Sequence, residues 1–391
     1  MPNGISPPAR SPHRVLVAGV STRAAAESAS RAGFDVTSLD AFGDLDHRPG
    51  VRTLSLRRDF GVPFTAAAAA RASRELECDA VAYLSSFENH PAAVRALAVG
   101  RVLLGNPPAV LRNVRDPVRL AVALDGSGRA EAPAAAGPSR WLLKPRASGG
   151  GHRIRWWQPG EPVPRGYYVQ QYIDGTPGSI IFAAANGRAV PLGLSRQLVG
   201  DPAFGASDLR YCGNILAPAG DPHFERDAEL ARAAAALASL VAATFSLVGV
   251  NGIDFVARDG VPHAVEVNPR YSASMELAER AYGISMFGIH AAACTTGELA
   301  AFDLARARSG HRAVGKAIVF ARHDVICGDT RRWLQDSSVR DVPHPDEAIR
   351  AGRPVCTVFA EGPSSAACYT ALVARAERVY ATLESWAGVP A

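Results

Sequence analysis

The sequence predicts an α/β protein with a parallel sheet at its N-terminal side, hairpin-built strands through its middle, and a small strand-rich section with a closing helix. Three observations carry this. Apolar strand-like runs alternate with helical runs over about residues 13–110, the pattern of a parallel sheet with crossover helices. From Trp141 to about Gly213 the texture changes to paired strands. After "ARARSGHRAVG" the chain reads as short strands followed by the helical "TALVARAERVYATLESW".

The opening "MPNGISPPARSP" is rich in proline and serine and is expected to be a disordered tail. "RVLVAGV" (Arg14 to Val20) is a buried strand, "STRAAAESASRAG" a helix that Gly33 stops, and "FDVTSLD" the next strand. "FTAAAAARASRELEC" is a helix capped by Thr65, and "AVAYL" and "VLLGN" are further strands. No GxGxxG follows the first strand, so no dinucleotide site is indicated. "SSFENHP" follows a strand's C-terminal end, where open α/β sheets bind ligands, which makes Glu88 and Asn89 candidate substrate contacts or caps. A helical stretch with Arg112, Arg115 and Arg119 then leads to an Ala-, Gly- and Pro-rich loop, Gly126 to Pro138.

Composition excludes several classes. The net charge of +5 comes from 42 basic and 37 acidic side chains with no clustered block, so a nucleic-acid face is not indicated. The six cysteines form no CxxC pair and read as reduced thiols of a cytoplasmic protein. The uncharged run Ala233 to Val250 is alanine-dominated and turns strand-like near Ser246, so it reads as a buried helix entering a strand rather than a membrane span. No HExxH or GxSxG is present, which removes zinc-hydrolase and serine-hydrolase readings.

Only two of the 42 basic residues are lysines, Lys144 and Lys316. In so arginine-rich a chain, a retained lysine marks a place that suits a compact ammonium. "GHRAVGKA" around Lys316 imitates a P-loop, but Ala317 stands where a hydroxyl is needed and a strand follows where a helix should. "KPRASGGG" has another layout, with Lys144 on a strand and Ser148, Gly149, Gly150 and Gly151 in the turn after it. Glycines let backbone N–H groups approach a polyanion, and the ammonium adds a point charge; a plain hairpin turn is the alternative.

"VNGIDFVARDGVPHAVEVNPR" (Val250 to Arg270) weighs in favour of the phosphate reading. Ile253 and Phe255 alternate with Asp254, and Val265 and Val267 alternate with Glu266 and Asn268. An odd-length loop centred on Gly260 would put Asp254 opposite Glu266, with Asn268 on the same face. Like charges directly opposed destabilise a sheet, and an Asp–Glu–Asn oxygen set suits Mg²⁺; a solvated hairpin face with arginine counter-ions is the alternative.

On these residues the chain resembles the ATP-grasp superfamily, which includes biotin carboxylase and many carboxylate–amine ligases. The resemblance covers about Arg14 to Cys294. It rests on the order of an α/β pre-domain, a lysine strand with a glycine lid, a hinge strand, and a D…ExN hairpin ending in "NPR". It implies a Rossmann-like pre-ATP-grasp domain over 13–110 after a tail at 1–12, an ATP-grasp domain over 111–309, and a C-terminal β-rich module over 310–391. It also implies ATP and Mg²⁺ as cofactors. Lys144 would contact the phosphates and Ser148 to Gly151 would close over them. "VQQYIDG" would read adenine through Gln170, Gln171, Tyr172 and Ile173. Asp254, Glu266 and Asn268 would hold magnesium. Arg270 would stabilise the transferred phosphoryl group or the tetrahedral intermediate, and Arg196 would contact the γ-phosphate or substrate, an ordinary place on the strand surface being the alternative. After Arg270, the helix "SASMELAERAYG" would offer its N-terminus, with Ser272 and Ser274, to a substrate carboxylate.

Two departures stand out. Gln171 occupies a hinge position that is commonly glutamate, and no lysine precedes Lys144; Arg112, Arg115 and Arg119 are candidates to replace the missing one. The implied activity is a ligase joining a small-molecule carboxylate to an amine through an acyl phosphate. The alternatives are carboxylation through carboxyphosphate and a nucleotide-binding subunit without catalysis. Within the superfamily the chain looks most like ligases found with one-carbon coenzyme genes, with an amino acid such as glutamate as a substrate. The superfamily often forms dimers, so the resemblance implies a homodimer; the reading of Ala233 to Val250 as a buried helix implies no membrane partner.

Overall fold

The computed structural model describes residues 13–125, 140–310 and 312–387. The expected tail, 1–12, and the loop Gly126 to Pro138 lie outside the described residues.

Strands β1 (Arg14–Ala18), β2 (Asp35–Asp40), β3 (Arg52–Ser55), β4 (Ala80–Tyr83) and β5 (Val102–Leu104) form a parallel sheet ordered β3-β2-β1-β4-β5. Its helices are α1 (Arg23–Arg31), α2 (Leu56–Asp59), α3 (Ala66–Ala72) and α4 (Pro91–Leu97). Thr65 caps α3 by accepting from the Ala68 N–H at 3.0 Å. Two helices follow, α5 (Pro108–Val114) and α6 (Pro117–Asp125), and Pro117 at the start of α6 divides the single helical stretch that the sequence suggested.

The lysine strand β6 (Trp141–Pro145) lies between β7 (Arg155–Trp157) and β8 (Tyr167–Gln171) in a small antiparallel sheet. Beyond it come β9 (Thr176–Ala185), β10 (Arg188–Val199), β11 (Tyr211–Leu216), α7 (Asp227–Phe245), β12 (Gly249–Arg258) and β13 (Val261–Asn268). Helices α8 (Met275–Tyr282), α9 (Met286–Thr295) and α10 (Leu304–Arg308) lead to β14 (Ala313–Phe320), β15 (Val325–Ile326), β16 (Val339–Arg340), β17 (Ala348–Ile349), β18 (Pro354–Gly362) and the closing helix α11 (Ser365–Ala387). The central sheet has eight strands in the order β13-β12-β9-β10-β11-β14-β18-β16. Three of the C-terminal strands thus extend this sheet, while β15 and β17 pair by themselves.

Alternation assigns the sheet's faces. Ile180, Phe182, Leu194, Ile253 and Phe255 pack with α7, whose Leu230, Ala234, Ala238, Val241 and Phe245 form one buried stripe. The uncharged run is therefore half-buried, with Leu240 on its outer side 45% exposed. By length and composition α7 could cross a membrane, but its inner stripe is part of this core. Ile181, Leu216, Val250, Val314 and Phe359 point the other way, against Met275, Leu277, Phe287 and the α1 alanines. Asp254, between Ile253 and Phe255, belongs to that second face.

Candidate active site

The hairpin β12–β13 places the two carboxylates. Arg258 pairs with Val261 around a two-residue turn, Asp259–Gly260, in which both residues have positive φ (53° and 76°). This is the even-length turn whose twist suits a hairpin, not the odd loop that the sequence suggested. By itself it would pair Asp254 with Val265 and turn Glu266 to the other face. The register shifts between Asp254 and Phe255: Phe255 pairs with Ala264, Asp254 with Glu266, and Val265 is the extra residue of a bulge. Val265 is therefore not the core residue that alternation suggested. Its carbonyl accepts from Lys144 Nζ and from Gln170 Nε2, each at 3.4 Å.

A hydrogen-bonded chain runs out from the carboxylates. Asp254 accepts from Gln197 Nε2 at 2.8 Å and from Asn268 Nδ2 at 2.9 Å. The Asn268 side-chain Oδ1 accepts from Arg270 Nη2 at 3.2 Å, and Arg270 Nε donates to Glu88 at 2.7 Å. Tyr83 Oη and Asn106 Nδ2 hold the Pro269 carbonyl at 3.3 and 3.1 Å, so the end of the N-terminal sheet fixes the turn carrying Arg270. Burial and the neighbouring Glu266 push Asp254 up to about 6. Burial acts the same way on Glu266, but the charges of Arg115 and Lys144 outweigh it and hold Glu266 below the usual carboxylate range.

Of the three candidate arginines, the fold selects Arg115. Arg112 and Arg119 are exposed, whereas Arg115 donates to Glu266 Oε1 at 2.5 Å, the Val267 carbonyl at 3.0 Å, Asn89 Oδ1 at 2.9 Å and the Ser148 carbonyl at 3.2 Å. Asn89 also donates to the Ser148 carbonyl, at 3.4 Å.

Lys144, opposite Tyr168 in the small sheet, is buried and donates to Gln170 Oε1 at 2.8 Å. The glycine turn after it is docked. The Gly150 carbonyl accepts from the Tyr211 N–H at 3.2 Å. Gly151 has φ +76° and lies so close to β11 that a Cβ would sit 1.9 Å from the Leu209 carbonyl oxygen. Gly149 has no such neighbour. Gln171 ends β8 and Tyr172 and Ile173 follow it; the Tyr172 N–H donates to the Arg140 carbonyl oxygen at 2.8 Å and the Tyr172 ring meets Trp156 edge-on at 4.9 Å.

Arg196 is not brought to the carboxylates. Ser195 and Gln197 share the Asp254 face of β10, so Arg196 points through the opposite face, on the side of Tyr369. Gln197, passed over in the sequence, is the residue that reaches Asp254; the same alternation would have identified it. Ser274 stands at the start of α8 without a side-chain capping bond and lies 3.2 Å from Ser272 Oγ.

The donor set fits Mg²⁺ held partly by phosphate: two opposed carboxylates, a nearby amide oxygen and no sulfur or imidazole. Among the described residues no group of three or more His, Cys, Asp and Glu side chains could hold a metal ion, so a self-contained protein cage is not present.

The model of the ATP-grasp domain matches residues 118–274, from α6 to the loop before α8. The chain carries an ATP-grasp domain. Its ATP-grasp fold is shared with biotin carboxylase from Campylobacter jejuni (TM-score 0.67, 12% identity, 93% of this chain and 90% of that one). It is shared too with the L-amino acid ligase of Bacillus licheniformis (TM-score 0.64, 16% identity, 94% and 97%). N5-carboxyaminoimidazole ribonucleotide synthetase, solved with ADP, is similar as well (TM-score 0.67, 16% identity, 96% and 98%). An uncharacterised protein of Methanocaldococcus jannaschii is 26% identical over 118 residues, 30% of this chain and only 27% of that relative. At 12–16% identity these likenesses are of fold.

Proposed function

We propose that the protein is an ATP- and Mg²⁺-dependent ligase that joins a carboxylate to an amine through an acyl phosphate, releasing ADP and phosphate. One observation carries this reading. Asp254 and Glu266 oppose each other on a sheet face where Arg115, Lys144 and Arg270 converge, under a docked glycine turn.

A carboxylate is a poor electrophile. Its oxygen attacks the γ-phosphorus of ATP, the bond from phosphorus to the β–γ bridging oxygen breaks, and ADP leaves. The amine nitrogen then attacks the acyl carbon, the carbon–oxygen bond to phosphate breaks, and the amine's extra proton passes to solvent. Phosphoryl transfer depends mainly on positioning and charge neutralisation. Lys144 is placed to meet phosphate oxygens once it leaves Gln170. Arg270, oriented by Glu88, is placed to meet the developing oxyanion. Asp254, Glu266 and the Asn268 oxygen would hold Mg²⁺, which when bound neutralises charge on the nucleotide's phosphate oxygens. The Ser148–Gly151 turn, tied down by Asn89, Arg115 and Tyr211, keeps water from the acyl phosphate. Ser272, Ser274 and the start of α8 are the expected place for the carboxylate, and an amino acid such as glutamate fits the amine role.

The test is phosphorus NMR of the protein with Mg-ATP and pooled carboxylates and amines. ADP and phosphate that appear only with a particular pair support the reading; AMP and pyrophosphate would replace acyl phosphate chemistry with adenylation.

A further inference from the structure

The proposed chemistry uses one of the chain's two lysines and leaves the other unexplained. Lys316 lies on β14, only 4% exposed, directly opposite Asn214 of β11. Its neighbours put it on the active-site face of the sheet. Asn214 donates to Ser195 Oγ at 2.9 Å and is itself bonded by Tyr211 Oη, and Tyr211 is the residue whose N–H holds the glycine turn at Gly150. The Lys316 ammonium donates to Glu276 Oε2 at 2.9 Å and sits 5.4 Å from the centre of the Phe359 ring.

Glu276 is the second residue of α8, six positions after Arg270. It is 4% exposed and held from two directions. Arg23 of α1 approaches its Oε1 at 3.0 Å and donates to its Oε2 at 3.2 Å, while Lys316 holds Oε2 from the sheet. Arg23 is 1% exposed and also meets Asp341 at 2.6 Å. Tyr271, the residue after Arg270, donates to Glu279 one turn along α8 at 3.4 Å. The Arg270–Ser274 loop is thus strung between the metal-site strand and a helix start that buried charges fix in place.

Resting on the ligase reading for its functional meaning, we infer that Lys316 is a positioning residue: through Glu276 it sets the start of α8, and with it the loop against which the carboxylate substrate docks. The geometry also accounts for a lysine here. The Arg280 guanidinium already lies over the Phe359 ring at 3.6 Å, so the remaining slot accepts a compact ammonium but not a second planar fork. Arg23, itself held by Asp341, anchors the same helix start from the other side, so loss of Lys316 frees the loop without dismantling the junction.

The test compares K316M with the wild-type chain by amide hydrogen exchange, with MgADP as the probe of the nucleotide site. Exchange over 270–276 is expected to quicken by about tenfold. Exchange over 144–151 should stay unchanged, and MgADP affinity should remain within about twofold. K316R keeps the positive charge opposite Glu276 but not the compact ammonium, so it is expected to recover the melting temperature but not protection of the loop; it also keeps the comparison available if K316M does not fold. In turnover, KM for the carboxylate rises by about tenfold while KM for MgATP holds. Wild-type protection over 270–276 in K316M would overturn the inference. So would full restoration of loop protection by K316R, which would reduce Lys316 to a counter-charge. A wild-type chain that binds no MgADP would instead contradict the ligase reading and leave the exchange comparison standing.

Discussion

Asp254 and Glu266 face each other across β12 and β13 because Val265 is bulged out of the ladder. Two carboxylates opposed in this way repel, and burial adds to the cost, yet the fold spends a bulge to keep them together. In the proposed reaction a divalent cation would relieve this repulsion. D254N is therefore expected to lower Mg²⁺-dependent ATP turnover by at least about 100-fold. It should also raise the stability of the metal-free chain by about 1–2 kcal/mol at pH 7.5, after allowance for partial exposure. Loss of activity together with a lower melting temperature would assign Asp254 a structural role instead.

The same pair gives a pH dependence with a definite sign. Asp254 is raised, so its contribution to stability is fully present below the ordinary carboxylate range and is lost as pH rises through about 6. Mg²⁺ needs the ionised form, so metal binding strengthens over that window. The rise in melting temperature caused by MgADP is expected to be larger at pH 7.5 than at pH 5. D254N should flatten the difference.

Arg115 joins four acceptors at once: Glu266, the Val267 carbonyl, Asn89 and the Ser148 carbonyl of the glycine turn. R115M strands a half-buried carboxylate and is expected to cost about 2–3 kcal/mol, less than for a fully buried pair. R115K should recover much of the stability but little of the turn's docking, because one ammonium cannot reproduce the forked contact. Denaturant unfolding and proteolysis near Ser148 report the two effects separately.

Gly151 is expected to be the intolerant glycine of the turn. G151A places a methyl group 1.9 Å from the Leu209 carbonyl oxygen at a φ of +76°, so the turn cannot dock. ATP hydrolysis should then exceed product formation, as the acyl phosphate meets water. G149A, with open space around it, is the control and should keep the two in step. The ratio of ADP to ligated product is the readout.

How much of this was legible in the sequence depends on the range of the interaction. Four of the five strands over 13–110, the Lys144 strand and the Asp254–Glu266 opposition follow from local alternation, and the structure contains them; the short β3, α2 and α4 carry no such signal. The opposition arises by another route, since a two-residue turn plus a bulge gives the same register as the odd loop, and a bulge leaves no mark in the pattern of apolar residues. Arg115, Glu88 and Asn89 come together from segments far apart in sequence, so only chain folding could choose Arg115 over Arg112 and Arg119. Arg196 drew notice for its charge, although Gln197 has the parity that faces Asp254. Lys316 was conspicuous by rarity, but its place opposite Asn214 depends on β14 joining the central sheet, which the section's short strands did not reveal.

The central claim is that a carboxylate oxygen attacks the γ-phosphate. The most direct measurement uses the carboxylate substrate labelled with oxygen-18 and follows the label by phosphorus NMR and mass spectrometry. Acyl phosphate chemistry leaves one labelled oxygen in the released inorganic phosphate for each amide formed. Label found in AMP, or phosphate released without label, would contradict the account.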